Sequence, residues 1–284
     1  MTAVANQRCM AHSWDSLFDE VYAAPPRALK GLDSALARRE EVRLGPKFPA
    51  GDLRSQQHWR KVWLTGGVEL SAALPDTVEW LGLSEFSGLD LQGLQLPPAT
   101  STLLVQGKRL RSLNGLKPGL RALYLLEARL EDLEELAAYS DLEHLAVVGP
   151  FTDMLRVGSL APLAGLTGLR SLYLGNLRVG DQSLAPLHGM RSLERCFLDL
   201  ASFPLPELAQ LARALPQLPS EVLGPSLATE KLCPQCQTMM VVLRGTAAPP
   251  GATPHLSKRI FYCPNCDCAT VQHHLAAFER LKNV

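Results

Sequence analysis

Ala161-Pro162-Leu163-Ala164-Gly165-Leu166-Thr167-Gly168-Leu169 leads into Arg170-Ser171-Leu172-Tyr173-Leu174, and Ala185-Pro186-Leu187-His188-Gly189-Met190-Arg191-Ser192-Leu193 leads into Glu194-Arg195-Cys196-Phe197-Leu198. The second passage repeats the first 24 residues later. Working backwards, the same spacing recurs at Leu142/Leu145/Val147, Leu120/Leu123/Leu125, Thr100/Leu103/Val105 and Val78/Leu81/Leu83, with a weaker set at Trp59/Val62/Leu64. That makes seven candidate strands, 19 to 27 residues apart. Leu113-Asn114-Gly115-Leu116 and Leu163-Ala164-Gly165-Leu166 supply an apolar return on the opposite side. A unit this short cannot bury its leucines alone, so the units must stack and share a continuous core.

The L-x-x-L-x-L core at a spacing in the 20s resembles the leucine-rich-repeat family. The resemblance implies a solenoid with a parallel sheet on its concave side, an α/β architecture with capped ends. One feature departs from the family. Many of its repeats place asparagine or cysteine three residues after the last strand leucine, whereas here Phe86, Lys108, Ala128, Pro150, Leu177 and Ala201 stand there and Asn176 comes one place early. No asparagine ladder is expected to shape the turns.

Upstream of the repeats, Ser13 precedes Trp14, Leu17, Phe18 and Val21 with early acids, which predicts a short amphipathic helix ended by Pro25-Pro26. A second helix is expected over Arg27 to Val42, from Leu29, Leu32 and Leu36. Residues 1–55 are read as a helical arm or cap and 56–218 as the solenoid. Pro206 to Leu215 reads as a helix covering the last repeat, and the proline-rich stretch 219–230 as a linker.

Residues 231–284 read as a separate small β domain. Cys233-Pro234-Gln235-Cys236 and Cys263-Pro264-Asn265-Cys266 are two C-P-x-C knuckles separated by 26 residues. Thr238–Leu243 and Lys258–Tyr262 are β-prone, with a Gly/Pro-rich turn over Gly245–Thr253. The arrangement resembles a zinc ribbon. Four thiolates at this spacing suit tetrahedral Zn²⁺, with rubredoxin-type iron as the alternative for the same S₄ set. A closed four-cysteine shell leaves no position for a reactive water, which makes the expected site structural. Cys268, His273 and His274 lie nearby, but the knuckles already complete the ligand count.

Side chains alternate across a strand. If the triplet leucines point into the core, one concave column is Trp63, Gly82, Leu104, Tyr124, Ala146, Tyr173 and Phe197, beside Lys61, Trp80, Thr102, Ala122, His144, Ser171 and Arg195. Aromatic residues and arginine are over-represented at interface hot spots. Trp63, Trp80, Tyr124, His144, Tyr173, Arg195 and Phe197 are therefore the expected contacts for a protein partner. The competing reading is that the N-terminal helices or the cysteine domain fold back over this face.

Basic and acidic residues balance at 28 each, so no global field favours nucleic acid or membrane. The tail 231–284 is locally basic, with 6 basic and 2 acidic residues, and Arg244, Lys258, Arg259, Arg280 and Lys282 carry a second reading as a DNA- or RNA-associated factor. No apolar run is long enough to span a bilayer and the first 25 residues lack a signal-peptide core, so a cytosolic location is expected. Metallohydrolase, serine-hydrolase and phosphate-loop motifs are absent, Cys196 falls on a core position, and Cys9 has no identifiable base. The chain reads as a binding protein without a catalytic centre or a small-molecule substrate.

Overall fold

The computed structural model describes residues 39–45, 53–66, 73–198, 203–245 and 261–284. The helix expected over 13–22 and most of the one over 27–42 lie outside these residues.

Ten strands build the solenoid: β1 (Glu41–Leu44), β2 (Lys61–Thr65), β3 (Trp80–Ser84), β4 (Thr102–Gln106), β5 (Ala122–Leu126), β6 (His144–Val148), β7 (Leu155–Val157), β8 (Ser171–Gly175), β9 (Leu177–Val179) and β10 (Arg195–Leu198). Eight of them form one all-parallel sheet in the order β1-β2-β3-β4-β5-β6-β8-β10, and β7 pairs with β9 in a separate two-stranded ribbon. Each of the seven triplets read from the sequence contributes one strand. Their register runs Val62, Leu81, Leu103, Leu123, Leu145, Leu172, Cys196 across the sheet. All seven are closed off from solvent, as is the second row ending at Leu198.

The eighth strand corrects the sequence reading. Glu41 and Val42, assigned to the end of a helix, belong to β1, which pairs with β2 in parallel. Val42 and Leu44 are buried while Glu41 is exposed, a period of two that the sheet edge rewards and a lone helix turn does not. The sheet therefore begins before the expected boundary at residue 56.

Chain return on the far side is made by short 3₁₀ turns at Glu134–Ala138, Ala161–Gly165 and Ala185–Leu187, not by α-helices. Pro162 and Pro186 sit in the first turn of the latter two, where a missing N–H leaves no bond unmade. Leu136, Leu163 and Leu187 point inward from them. The turns after the strands use backbone conformation in place of an asparagine ladder: Glu85, Glu127 and Asn176, each directly after β3, β5 and β8, have φ of +56°, +57° and +49°.

Helix α1 (Leu205–Ala214) closes the last repeat with Leu208, Ala209 and Leu211, as the apolar spacing predicts. It sits in repeat register. Glu207 accepts bonds from the Leu184 N–H (2.6 Å) and the Ser183 hydroxyl (3.3 Å), as Glu135 does from the Leu113 N–H and the Ser112 hydroxyl.

The stretch read as a linker is ordered. It contains the short helix α2 (Ser220–Leu223) and strand β11 (Ser226–Leu232), which pairs antiparallel with β12 (Met239–Leu243); β12 pairs in turn with β13 (Phe261–Tyr262). Proline and glycine suggested flexibility, but the β12 partner satisfies the β11 backbone. Helix α3 (Cys268–Lys282), unexpected from the sequence, runs back along α1 and places Phe278, 2% exposed, in the same apolar cluster as Leu208 and Leu211. The cysteine module is thus docked on the end of the solenoid.

Candidate metal centre and concave face

Four strand or helix ends carry the four cysteines. Cys233 follows β11, Cys236 lies in the turn before β12, Cys263 follows β13 and Cys266 precedes α3. Their sulfurs all lie within 4.8 Å of one another, with Cys233–Cys266 at 3.8 Å, Cys236–Cys266 at 3.6 Å and Cys236–Cys263 at 3.3 Å. These separations exclude disulfides, whose sulfurs sit at ~2.05 Å. A tetrahedral shell with metal–sulfur bonds of ~2.3 Å has edges of about 3.8 Å, so the sulfurs fit one ion. The donor set could hold a metal, and zinc as its identity is taken up below.

Both knuckles are pre-shaped by their own backbones. The Gln237 N–H donates to the Cys233 carbonyl (2.9 Å) with Gln237 at φ +58°, and the Cys266 N–H points at the Cys263 sulfur (3.4 Å). Asp267 accepts the Cys263 N–H at 2.8 Å. Thr238 ties the knuckles together, contacting the Cys236 sulfur at 3.4 Å and accepting from the Asn265 amide at 2.8 Å. The Thr238 hydroxyl and backbone hold the Cys236 thiol down at about 6, whereas the surrounding thiols, Cys236 first, push Cys266 up to about 12. Cys268 opens α3 outside the cluster. His274 points away, its Nε2 lying 2.9 Å from the Arg244 carbonyl and 3.1 Å from that of Pro225.

Arg244 stands where the sequence did not put it. It was expected to offset the cluster's charge or to meet phosphates, but it is 3% exposed and donates to the carbonyls of Val222 and Gly224. Its charged neighbour is the wholly buried Cys196, whose thiol burial pushes up to about 12. Burial likewise pulls Arg244 down to about 10. The residue clamps α2 and the end of β12 to the solenoid. Beside it Gly245, at φ +67°, accepts the Leu205 N–H, and a Cβ there would lie 2.6 Å from the Leu205 backbone.

On the sheet face turned away from the leucine core, the two expected columns are in register from β2 to β10. The structure brings the expected contacts together in two groups. At one end Trp63 and Trp80 meet at 4.5 Å between ring centroids, tilted by 54°. Lys61 stands 4.7 Å from the Trp80 ring, and Glu41 binds both Lys61 (3.3 Å) and the Trp63 indole N–H (3.2 Å). At the other end Tyr173 and Phe197 stack at 4.3 Å and 10°. Glycines make room for both groups: a Cβ on Gly82 would lie 2.5 Å from Trp80, and one on Gly175 2.6 Å from Tyr173. Glycine inside a strand was the overlooked signal for such a close approach.

Exposure does not follow the expected pattern. Trp80, His144, Tyr173, Arg195 and Phe197 are half-buried, but Trp63 and Tyr124 are each only 3% exposed. With Leu104, Ala122, Leu126, Ala146 and Val148 they form an apolar cluster separate from the solenoid core. Lys61, Glu41 and Leu104 are part of this face and were not singled out from the sequence.

No protein-family model matches the chain, and no curated protein matches it. Among solved structures, an internalin (inlF) of Listeria monocytogenes aligns with 13% identity and a TM-score of 0.39, over 58% of this chain and 49% of that one. A second, internalin C2 (inlC2) of the same organism, aligns with 15% identity and a TM-score of 0.32, over 62% of this chain and 69% of that one. This chain spans about half the length of the first. No described helix is long and apolar enough to cross a membrane.

Proposed function

We propose that this chain is a non-enzymatic, cytosolic protein-interaction module that binds a protein partner on the concave face and carries a structural Zn²⁺ in its four-cysteine site. The observation that carries the reading is the pair of aromatic groups at the two ends of one face, Trp63/Trp80 and Tyr173/Phe197. Neither group belongs to the leucine core. Half-buried aromatic rings on a rigid sheet offer large contact area at little loss of conformational entropy. Trp80, Tyr173, Phe197, His144 and Arg195 are the proposed contacts, with Trp63 and Tyr124 as the floor beneath them.

Cys233, Cys236, Cys263 and Cys266 would hold the zinc. A full thiolate shell leaves the ion no substrate position, so its contribution is to folding. The alternative reading through nucleic acid loses one of its five named contacts, since Arg244 is buried against α2.

The test is affinity capture from the source cell with full-length wild type and Tyr173→Ala/Phe197→Ala, at matched zinc content. A protein retained by wild type and lost by the variant supports the reading. Equal capture by both overturns it, and recovery of nucleic acid alone, sensitive to salt, moves the function to the cysteine module.

A further inference from the structure

A side chain on the outer face of a single sheet is shielded only by neighbouring strands and by residues two places along its own. Leu104 and Tyr124 exceed that shielding, at 1% and 3% exposure. Leu104 is flanked on one side by Gly82, which has no side chain, and Tyr124 by Ala146, which has one methyl. Every member of their apolar cluster comes from the sheet itself, so no other described element closes it from above. Yet the middle of the face is dry. Tyr124, His144, Tyr173, Arg195 and Phe197 are moreover all already engaged in polar, ring or electrostatic contacts, Tyr173 and Phe197 beyond their mutual stack.

We infer that the layer over this face is the chain's own N-terminal segment, residues 13–38, acting as an internal ligand of the concave face. Three observations select this occupant. The segment is tethered in the right place: the chain enters the sheet at β1, whose Arg43 pairs with Trp63 at the edge of the face. Its length is adequate, because eight strands at ~4.8 Å make a face about 34 Å wide, and 26 residues reach about 39 Å even if wholly helical. Its chemistry is complementary. Trp14, Leu17, Phe18 and Val21 offer an apolar stripe to Leu104 and Tyr124, and residues 13–22 carry Asp15, Asp19 and Glu20 with no basic residue. From β2 to β10, the described face residues include Lys61, His144 and Arg195 and no carboxylate. A tethered segment also acts at high effective concentration, so modest contacts suffice.

The consequence is a gated binding surface. Trp80, Tyr173 and Phe197 at the flanks retain exposure for a first encounter, while full use of the floor requires the segment to leave. The gating rests on the partner reading proposed above; occupancy of the face does not.

The experiment is hydroxyl-radical footprinting of the full-length protein, wild type against Leu17→Asp/Phe18→Asp, read at Tyr124. Tyr139, buried in the solenoid core with its hydroxyl on the Leu116 carbonyl, is the internal reference for the fold. The expected result is Tyr124 oxidised as slowly as Tyr139 in wild type and several-fold faster in the variant, with Tyr139 unchanged. Reactive Tyr124 in wild type overturns the inference, as does continued protection in the variant. Protection of wild type that fades on dilution also overturns it, by assigning the cover to a second copy. A photo-cross-linking residue at Phe18 in the otherwise wild-type chain gives an answer independent of the variant's folding: intramolecular products on β4–β6 support the inference, and products only elsewhere overturn it. Capture experiments separate the two readings. If footprinting behaves as expected but the segment variant captures no protein partner, the partner reading fails and the internal ligand stands.

Discussion

In the solenoid, Leu103, Leu123, Leu145, Leu172 and Cys196 lie strand over strand with almost no exposed surface, and the repeats above and below supply the burial each unit lacks. In the cysteine module, the described residues closed from solvent are few: Cys233, Val242, Leu243, Arg244, Cys263, Val271 and Phe278. Two are cysteines of the cluster, one is an arginine, and Phe278 is shared with the solenoid. The comparison shows two ways to hold short β segments. One recruits identical neighbours and grows without limit. The other gathers four sulfurs around a point and then needs only a hydrophobic anchor to be placed.

Removing the metal should separate the two regions most sharply. Structural zinc contributes on the order of 10 kcal/mol to the folding of small domains, and the module has little apolar core to replace it. Hydrogen exchange with a strong chelator should show β11, β12 and β13 losing protection while β3 to β8 keep theirs. Equal protection with and without chelator would break the comparison.

Next in size is a cavity in the repeat stack. Leu145→Ala removes a fully buried side chain at the centre of the sheet and should destabilise the solenoid by about 3 kcal/mol. Because repeats couple through their interfaces, chemical denaturation should report one cooperative shift. A loss confined to β6, with β3 and β4 unaffected, would contradict the shared core.

The join between the regions is tested by Glu207→Ala, which strips the Leu184 N–H of its acceptor and should cost about 1–2 kcal/mol. Glu135→Ala should cost a similar amount, because Glu135 makes the same contact one turn of the solenoid at a time earlier in the chain. Unequal losses in thermal unfolding would show that α1 is not a substitute repeat.

Smallest is the surface ladder. Arg170 and Glu194 pair across two repeats with both side chains more than half exposed, so a double-mutant cycle to alanine should return roughly 0.5 kcal/mol or less. A larger coupling would mean that exposed rungs, and not only leucines, hold the stack.

Much of this architecture was legible before any coordinates. Strand positions and side-chain register followed from leucines at fixed offsets, because an alternating strand leaves one choice of buried face once two leucines are assigned. The metal cluster followed from two identical knuckles, whose short internal spacing fixes local geometry. The misreadings were all cases in which a partner distant in sequence decided the outcome. Glu41–Leu44 became a strand because β2 offered its edge, and the proline-rich linker became β11 because β12 satisfied its backbone. Trp63 and Tyr124 looked like exposed contacts because periodicity tells which face a residue occupies, not what lies above it.

The sequence by itself thus determined the repeat, its register, the face on which each aromatic residue stands and the four sulfurs that meet. Periodicity and knuckle spacing are local properties, and local properties are written in order along the chain. Only the tertiary structure decided that α3 locks the cysteine module to the last repeat through Phe278, that Arg244 is spent on backbone carbonyls, and that the middle of the concave face is dry. Each of these depends on which surfaces meet across long stretches of chain, where burial is a property of the pair and not of either residue alone.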